Sequence, residues 1–196
     1  MALTTYTAGE VLTAASLNNN FTFAAANPPG GMTFINSVSP SASATATITG
    51  CFTTTYDNYV IDYDLTMSAA AYVWMRLRIG GTDTTAANYN TGYEYSGVST
   101  GASTTGFGGG TSQTKFQLAV GGGATRVRGR MWLYSPQIAA VTTGNYLHTM
   151  LDGGYTFKAD GGMLYNASTQ FDGFTFLHDS VQTMTGTIRV YGTANA

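Results

Sequence analysis

The sequence predicts an all-β fold, a jelly-roll-like antiparallel β-sandwich preceded by a short N-terminal helix and a Pro/Gly linker. Three observations carry this. After residue 31, segments in which apolar and polar residues alternate recur along the chain, the pattern of half-buried strands. These segments are short and punctuated by glycine, of which the 196 residues contain 25, as the turns of a sandwich require. No internal repeat appears, which sets aside solenoids and propellers and leaves the two-sheet architectures.

The first 27 residues differ from the rest. Thr7-Ala-Gly-Glu10 has capping-box spacing, and Thr13 before Ala14-Ala15-Ser16-Leu17 offers a second N-cap. Val11, Ala14, Leu17, Phe21 and Ala24 fall on one helical stripe. A helix starting at Thr13 has only about three turns and is marginal without something to pack against. It stops at Asn27-Pro28-Pro29-Gly30-Gly31. The chain thus divides into residues 1–31, a docking segment with linker, and residues 32–196, a β-sandwich domain. Val11, Leu17 and Phe21 are the docking residues in this reading; the alternative is that the helix folds back on its own domain.

Met32 to Val38 reads as a first strand and Ala44 to Phe52 as a second, with Gly50 marking a bulge. From Tyr59 to Met67, Tyr59, Ile61, Tyr63, Leu65 and Met67 share one face, while Val60, Asp62, Asp64 and Thr66 share the other. From Tyr72 to Ile79, Val73, Met75, Leu77 and Ile79 alternate with Tyr72, Trp74, Arg76 and Arg78. A hairpin turning around Ala70 places Asp64 opposite Arg76, Asp62 opposite Arg78 and Leu65 opposite Met75, making Asp62, Asp64, Arg76 and Arg78 structural ion pairs that fix register. A register shifted by two residues, or two strands in different sheets, keeps the same faces.

Residues 84–115 read as a weak strand near Tyr93 and a long flexible loop around Gly106-Phe-Gly-Gly-Gly110. Its aromatic residues, Tyr89, Tyr93, Tyr95 and Phe107, are the candidate exposed binding loop, since tyrosines among small neighbours contact partners at low entropic cost. Phe116 to Val120, Arg126 to Tyr134 and Tyr146 to Leu151 follow as strands, and Tyr155 to Phe157 and Met163 to Tyr165 as short strands or loop. Gly173 to His178 and Gly186 to Tyr191 read as a closing hairpin.

Composition narrows function by exclusion. Charged residues make up 9% of the chain, against about 25% in an average domain. A net charge of -2 supplies no field that would draw nucleic acid or an anionic membrane. Lysine, a common guard of exposed sheet edges, occurs only at positions 115 and 158. Edges covered by neighbouring subunits follow as an expectation. The single cysteine, Cys51, excludes an intrachain disulfide and a cysteine-cluster metal site, and its place beside Phe52 suits a small core residue. The N-terminus lacks a secretory pattern and no run of about 18 apolar residues occurs, so neither secretion nor membrane insertion is expected.

The chemistry-bearing residues are few. His148 and His178 sit in or beside strands, and no Gly-x-Ser-x-Gly elbow accompanies them. The glycine runs at 106–110 and 121–123 miss phosphate-binding spacings. Arg126, Arg128 and Arg130 form a row on one face, read as partners of acidic residues on a neighbouring strand or subunit. No catalytic residue, metal or cofactor is predicted.

Three passages carry a resemblance. Thr7-Ala-Gly-Glu-Val-Leu-Thr-Ala-Ala-Ser-Leu-Asn18 resembles the N-terminal segment of tailed-phage fibre and accessory virion proteins. Tyr56-Asp-Asn-Tyr59, with Arg76-Leu-Arg78 and Gly81-Thr-Asp83, resembles the core signature of a phage structural β-domain, and Met184-Thr-Gly-Thr-Ile-Arg-Val-Tyr-Gly192 resembles its ending. The resemblance implies a jelly-roll-like sandwich, often a homotrimer, attached to the particle through its N-terminal segment, with no catalytic set and no cofactor. The function expected is a non-enzymatic virion structural protein, first a short tail fibre or receptor-binding knob, alternatively a capsid decoration (cement) protein, and third a tailspike-type glycan depolymerase. Its expected partners are other copies of itself, other virion proteins of the tail or capsid, and a host surface glycan or protein.

Overall fold

The computed structural model describes residues 5–6, 9, 13–26, 31–99, 101–118, 124–152, 154–178 and 181–193, and only the backbone at 21–26, 71 and 124. One helix, α1 (Ala14–Ala26), precedes the strands. The Thr13 hydroxyl accepts the Ser16 amide at 3.2 Å, the N-cap expected from the sequence. Leu17 on this helix is 39% exposed. Val11, the linker residues 27–30 and the Phe21 side chain lie outside the described residues. No described helix is long and apolar enough to cross a membrane.

Thirteen strands follow among the described residues: β1 (Met32–Val38), β2 (Thr45–Ile48), β3 (Asn58–Ala71), β4 (Val73–Ile79), β5 (Thr82–Asp83), β6 (Tyr89–Ser99), β7 (Ala102–Gln113), β8 (Phe116–Gln117), β9 (Ala124–Tyr134), β10 (Ala140–Asp152), β11 (Tyr155–Thr169), β12 (Gly173–His178) and β13 (Met184–Thr193). They form an eight-stranded sheet, β1-β13-β3-β9-β10-β11-β6-β7, and a smaller sheet, β2-β12-β4-β5, to whose β4 the short β8 also pairs.

Four antiparallel pairings are nested: β1 with β13, β2 with β12, β3 with β9, and β4 with β8. A chain paired in this way is one long hairpin. Rolling it sends alternate pairs to opposite sheets, and β13·β3 and β12·β4 then complete each sheet. This rolled hairpin is the jelly-roll-like sandwich expected. Two further hairpins are inserted in it. β10–β11 continues the large sheet from β9, and β6–β7 extends it from β11.

Alternation fixes which side chains fill the space between the sheets. Ile61 and Leu65 of β3, Val127 and Met131 of β9, Met75 and Leu77 of β4, and Phe174 and Phe176 of β12 are all buried. Each such side chain contributes roughly 1.5–3 kcal/mol by leaving water. Cys51 lies in this core as expected, and burial pushes its thiol up to about 12.

Five expectations are corrected. β3 and β4 do not form a hairpin: β3 runs through Ser68–Ala71, and the chain then crosses to the opposite sheet. The pairings Asp64/Arg76, Asp62/Arg78 and Leu65/Met75 are therefore absent, because two sandwich strands in opposite sheets show the same alternation as two in one. β12 and β13 likewise lie in different sheets. The second strand ends at Ile48, and Gly50, at φ +69°, turns the chain instead of bulging a strand. Residues 84–115 are not a loop, since they contain β6 and β7; 155–169, read as short pieces, is one strand.

Candidate functional site

The outer face of the eight-stranded sheet offers the largest continuous surface with organised chemistry. One row of register partners crosses it: Phe34, Tyr191, Val60, Trp132, Asn145, Gly162, Gly92 and Gly109. The row begins aromatic and ends in bare backbone. Nine of the chain's charged side chains, Asp62, Asp64, Glu94, Asp160, Arg126, Arg128, Arg130, Lys158 and Arg189, lie at outward positions of the same sheet. They are half of a total of 8 Lys+Arg and 10 Asp+Glu.

On the half formed by β1, β13, β3 and β9, both carboxylates are paired with arginines. Arg130 donates to both oxygens of Asp62, at 2.6 and 2.8 Å. Arg128 donates to Asp64 at 2.9 Å, and Arg126 bonds both of its oxygens at 3.2 and 3.3 Å. The bond from Arg128, aided by Arg126, holds the Asp64 carboxyl below the usual carboxylate range. The arginine row does meet acidic residues on a neighbouring strand, as expected, and the partners are the two aspartates the sequence had assigned elsewhere. Phe34 packs edge-to-face on Tyr191 with centroids 5.8 Å apart, and Val60 is covered between Tyr191 and Trp132 although it points outward. Arg78 meets Asp83, the Gly81 carbonyl and the Thr175 hydroxyl, while Arg76 donates to the Thr114 carbonyl at 3.2 Å.

The half formed by β10, β11, β6 and β7 is built differently. On its inner side, glycines face aromatic rings across the ladder: Gly106 opposite Tyr95, Gly108 opposite Tyr93, Gly97 opposite Phe157, and Gly161 opposite Tyr146. A Cβ at any of the four would collide with the ring. The rings cover backbone that glycine would leave bare, which is how a glycine-rich segment can be stable strand. On the outer side, Cβ atoms built at Gly92 and Gly162 would meet nothing within 4 Å. These two adjacent glycines floor a trough of about 890 Å³ reaching from Gly144 to Thr111.

The next outward row beside the trough is Asp160 opposite Glu94 opposite Phe107, of which Phe107 lines the trough and all three line the recess beyond it. The row beyond it is Lys158, Ser96 and Thr105, and the six side chains enclose a second recess of about 400 Å³. Phe107 is 90% exposed. Glu94 and Asp160 face each other directly, and neither forms a hydrogen bond or ion pair among the described residues. Such like-charged neighbours cost roughly 0.2–1 kcal/mol, and this pair carries no compensation of its own.

Of the four aromatic residues expected to be exposed, only Phe107 is. Tyr89 is 0% exposed; its hydroxyl donates to the Thr84 carbonyl and accepts the Leu77 amide, both at 3.0 Å. Tyr93 and Tyr95 point inward over glycines and are half-buried. Glu94, Asp160, Gly92 and Gly162 were missed. The signal was present in the alternation of Tyr89-Asn-Thr-Gly-Tyr-Glu-Tyr-Ser-Gly-Val98, which places Gly92 and Glu94 on the face opposite the tyrosines.

Beneath this half, His148 is buried. Its Nδ1 lies 3.1 Å from the Tyr63 hydroxyl, and the Tyr146 ring stacks on it with centroids 5.0 Å apart. Burial lowers its pKa to about 4, so the ring is neutral. Among the described residues, no group of three or more His, Cys, Asp and Glu could hold a metal ion. No protein-family model matches the chain, and a search of curated proteins found no match.

Proposed function

We propose that the chain is a non-enzymatic structural protein of a tailed-bacteriophage particle, a short tail fibre or receptor-binding knob held by its N-terminal segment. In this reading the two inserted hairpins present the host-binding surface. The observation that carries it is the shallow, open trough over Gly92 and Gly162 with exposed Phe107 at its edge, a stretch of uncovered backbone that a scaffold alone would not need. The passages that resemble phage structural proteins support it by their position. Tyr56–Tyr59 leads into β3, Arg76–Arg78 and Gly81–Asp83 lie in and beside β4 and β5 where Arg78 meets Asp83, and Met184–Gly192 is β13.

Copies of the chain would pack as a homotrimer through the β1-β13-β3-β9 half. Asp62 and Asp64 already have their arginines there, so burial of this half leaves neither carboxylate without a partner. The same property favours the capsid decoration reading, in which this half clamps capsid subunits. Glu94 and Asp160 supply the two carboxylates that a depolymerase needs. Both are exposed in similar surroundings, without the difference in environment that separates an acid from a base.

Immunogold labelling of particles with antibody to residues 32–196 tests the proposal. Label at the tail tip is expected; label over the capsid supports decoration instead, and unlabelled particles overturn both.

A further inference from the structure

Resting on that reading of the trough as the host-binding surface, we propose that it is a saccharide site that accepts uncharged or amine-bearing sugars and rejects anionic ones. Three features specify the ligand. The floor at Gly92 and Gly162 is bare backbone whose amides and carbonyls belong to the sheet ladder, so it offers flat space and no anchoring group. A ligand must therefore be held from the side. Phe107, 90% exposed, presents an apolar ring that matches the C–H face of a sugar ring. Beside it, Asp160 and Glu94 offer up to four acceptor oxygens, and hydroxyl or ammonium groups donate charge-assisted hydrogen bonds to such oxygens.

The sign of the recess that adjoins the trough, with Phe107 shared between the two, gives the selectivity. Two carboxylates directly opposite each other, with Lys158 as the one cation in the recess, leave an excess of negative charge. An ammonium group relieves their repulsion, a hydroxyl is indifferent to it, and a carboxylate or sulfate adds a third like charge.

The test is binding of the full-length protein to an array of neutral, amine-bearing and anionic oligosaccharides, with oligolysine as a peptide control. Signal on neutral or amine-bearing members and none on anionic ones is expected. Gly162→Val should abolish it with the melting temperature unchanged, because its Cβ meets nothing in the fold but occupies the trough. Phe107→Ala should weaken binding on the order of tenfold, and Phe107→Trp should restore it. Glu94→Gln with Asp160→Asn should raise the ratio of anionic to neutral binding on the order of tenfold. Binding of anionic sugars by the wild type, or of oligolysine and no sugar, overturns the proposal. If Gly162→Val blocks adsorption of particles to cells while no sugar binds, the saccharide assignment fails and the surface reading stands. Adsorption unaffected by Gly162→Val overturns both.

Discussion

The two halves of the large sheet's outer face use the same strand geometry to opposite ends. On the half that belongs to the rolled hairpin, carboxylates are matched by arginines and the central row is filled by Phe34, Tyr191, Val60 and Trp132. On the half made by the inserted hairpins, the same row passes from Asn145 to bare backbone at Gly162, Gly92 and Gly109, and the next row sets Glu94 against Asp160. Local stability is satisfied in the first half and given up in the second. A surface that retains unmatched carboxylates and open space has something left to offer a ligand, whereas a surface whose carboxylates are matched and whose central row is filled is suited to being covered.

The sharpest way to break this comparison uses neighbouring residues on opposite faces of β11. Gly161→Val drives a side chain into the buried Tyr146 ring and should cost about 3 kcal/mol, or prevent folding. Gly162→Val, one residue on, should change stability by no more than about 0.5 kcal/mol. Urea denaturation of the two variants decides it, and similar values for both would mean that the trough floor is not open.

The inner side of the inserted half should also be sensitive to acid. His148 titrates near 6.5 when unfolded and at about 4 when folded. The unfolded chain therefore binds the extra proton between these values, and its contribution, fully present above pH 6.5, is lost as pH falls through the folded value. The loss should reach about 3 kcal/mol near pH 4. Replacing His148 with Gln should flatten this part of the stability–pH curve; a slope unchanged by the substitution would contradict the burial argument.

These same residues show what could be read from the sequence. The strands Met32–Val38 and Gly173–His178 were legible to the residue, because alternation and flanking turn residues agree there. The faces of β3 and β4 were legible too, but not their pairing. Alternation records which side is buried and says nothing about which sheet a strand joins, so Asp62 and Asp64 were matched to the nearest arginines in sequence when their partners lay more than sixty residues on. The glycine run 106–110 misled for another reason. Glycine breaks strands when its backbone is left uncovered, and Tyr93 and Tyr95 on the adjacent strand cover it. Half of the candidate site was therefore mistaken for loop, and only Phe107 was assigned correctly to the exposed surface.

The smallest effect is expected on the matched half. Asp62→Asn weakens a half-buried bidentate pair with Arg130 and should cost no more than about 1 kcal/mol, less at high salt. A loss several times larger would mean that the pair is buried in the assembled protein, and comparison of monomeric and assembled forms would locate the difference.

The division of the face is tested most directly by cryo-electron microscopy of the assembled particle at a resolution that traces strands. The account predicts that β1, β13, β3 and β9 lie against neighbouring subunits and that the trough between Gly162, Gly92 and Phe107 opens to solvent. A structure in which the trough is buried and the Asp62–Arg130 ladder is exposed would contradict it.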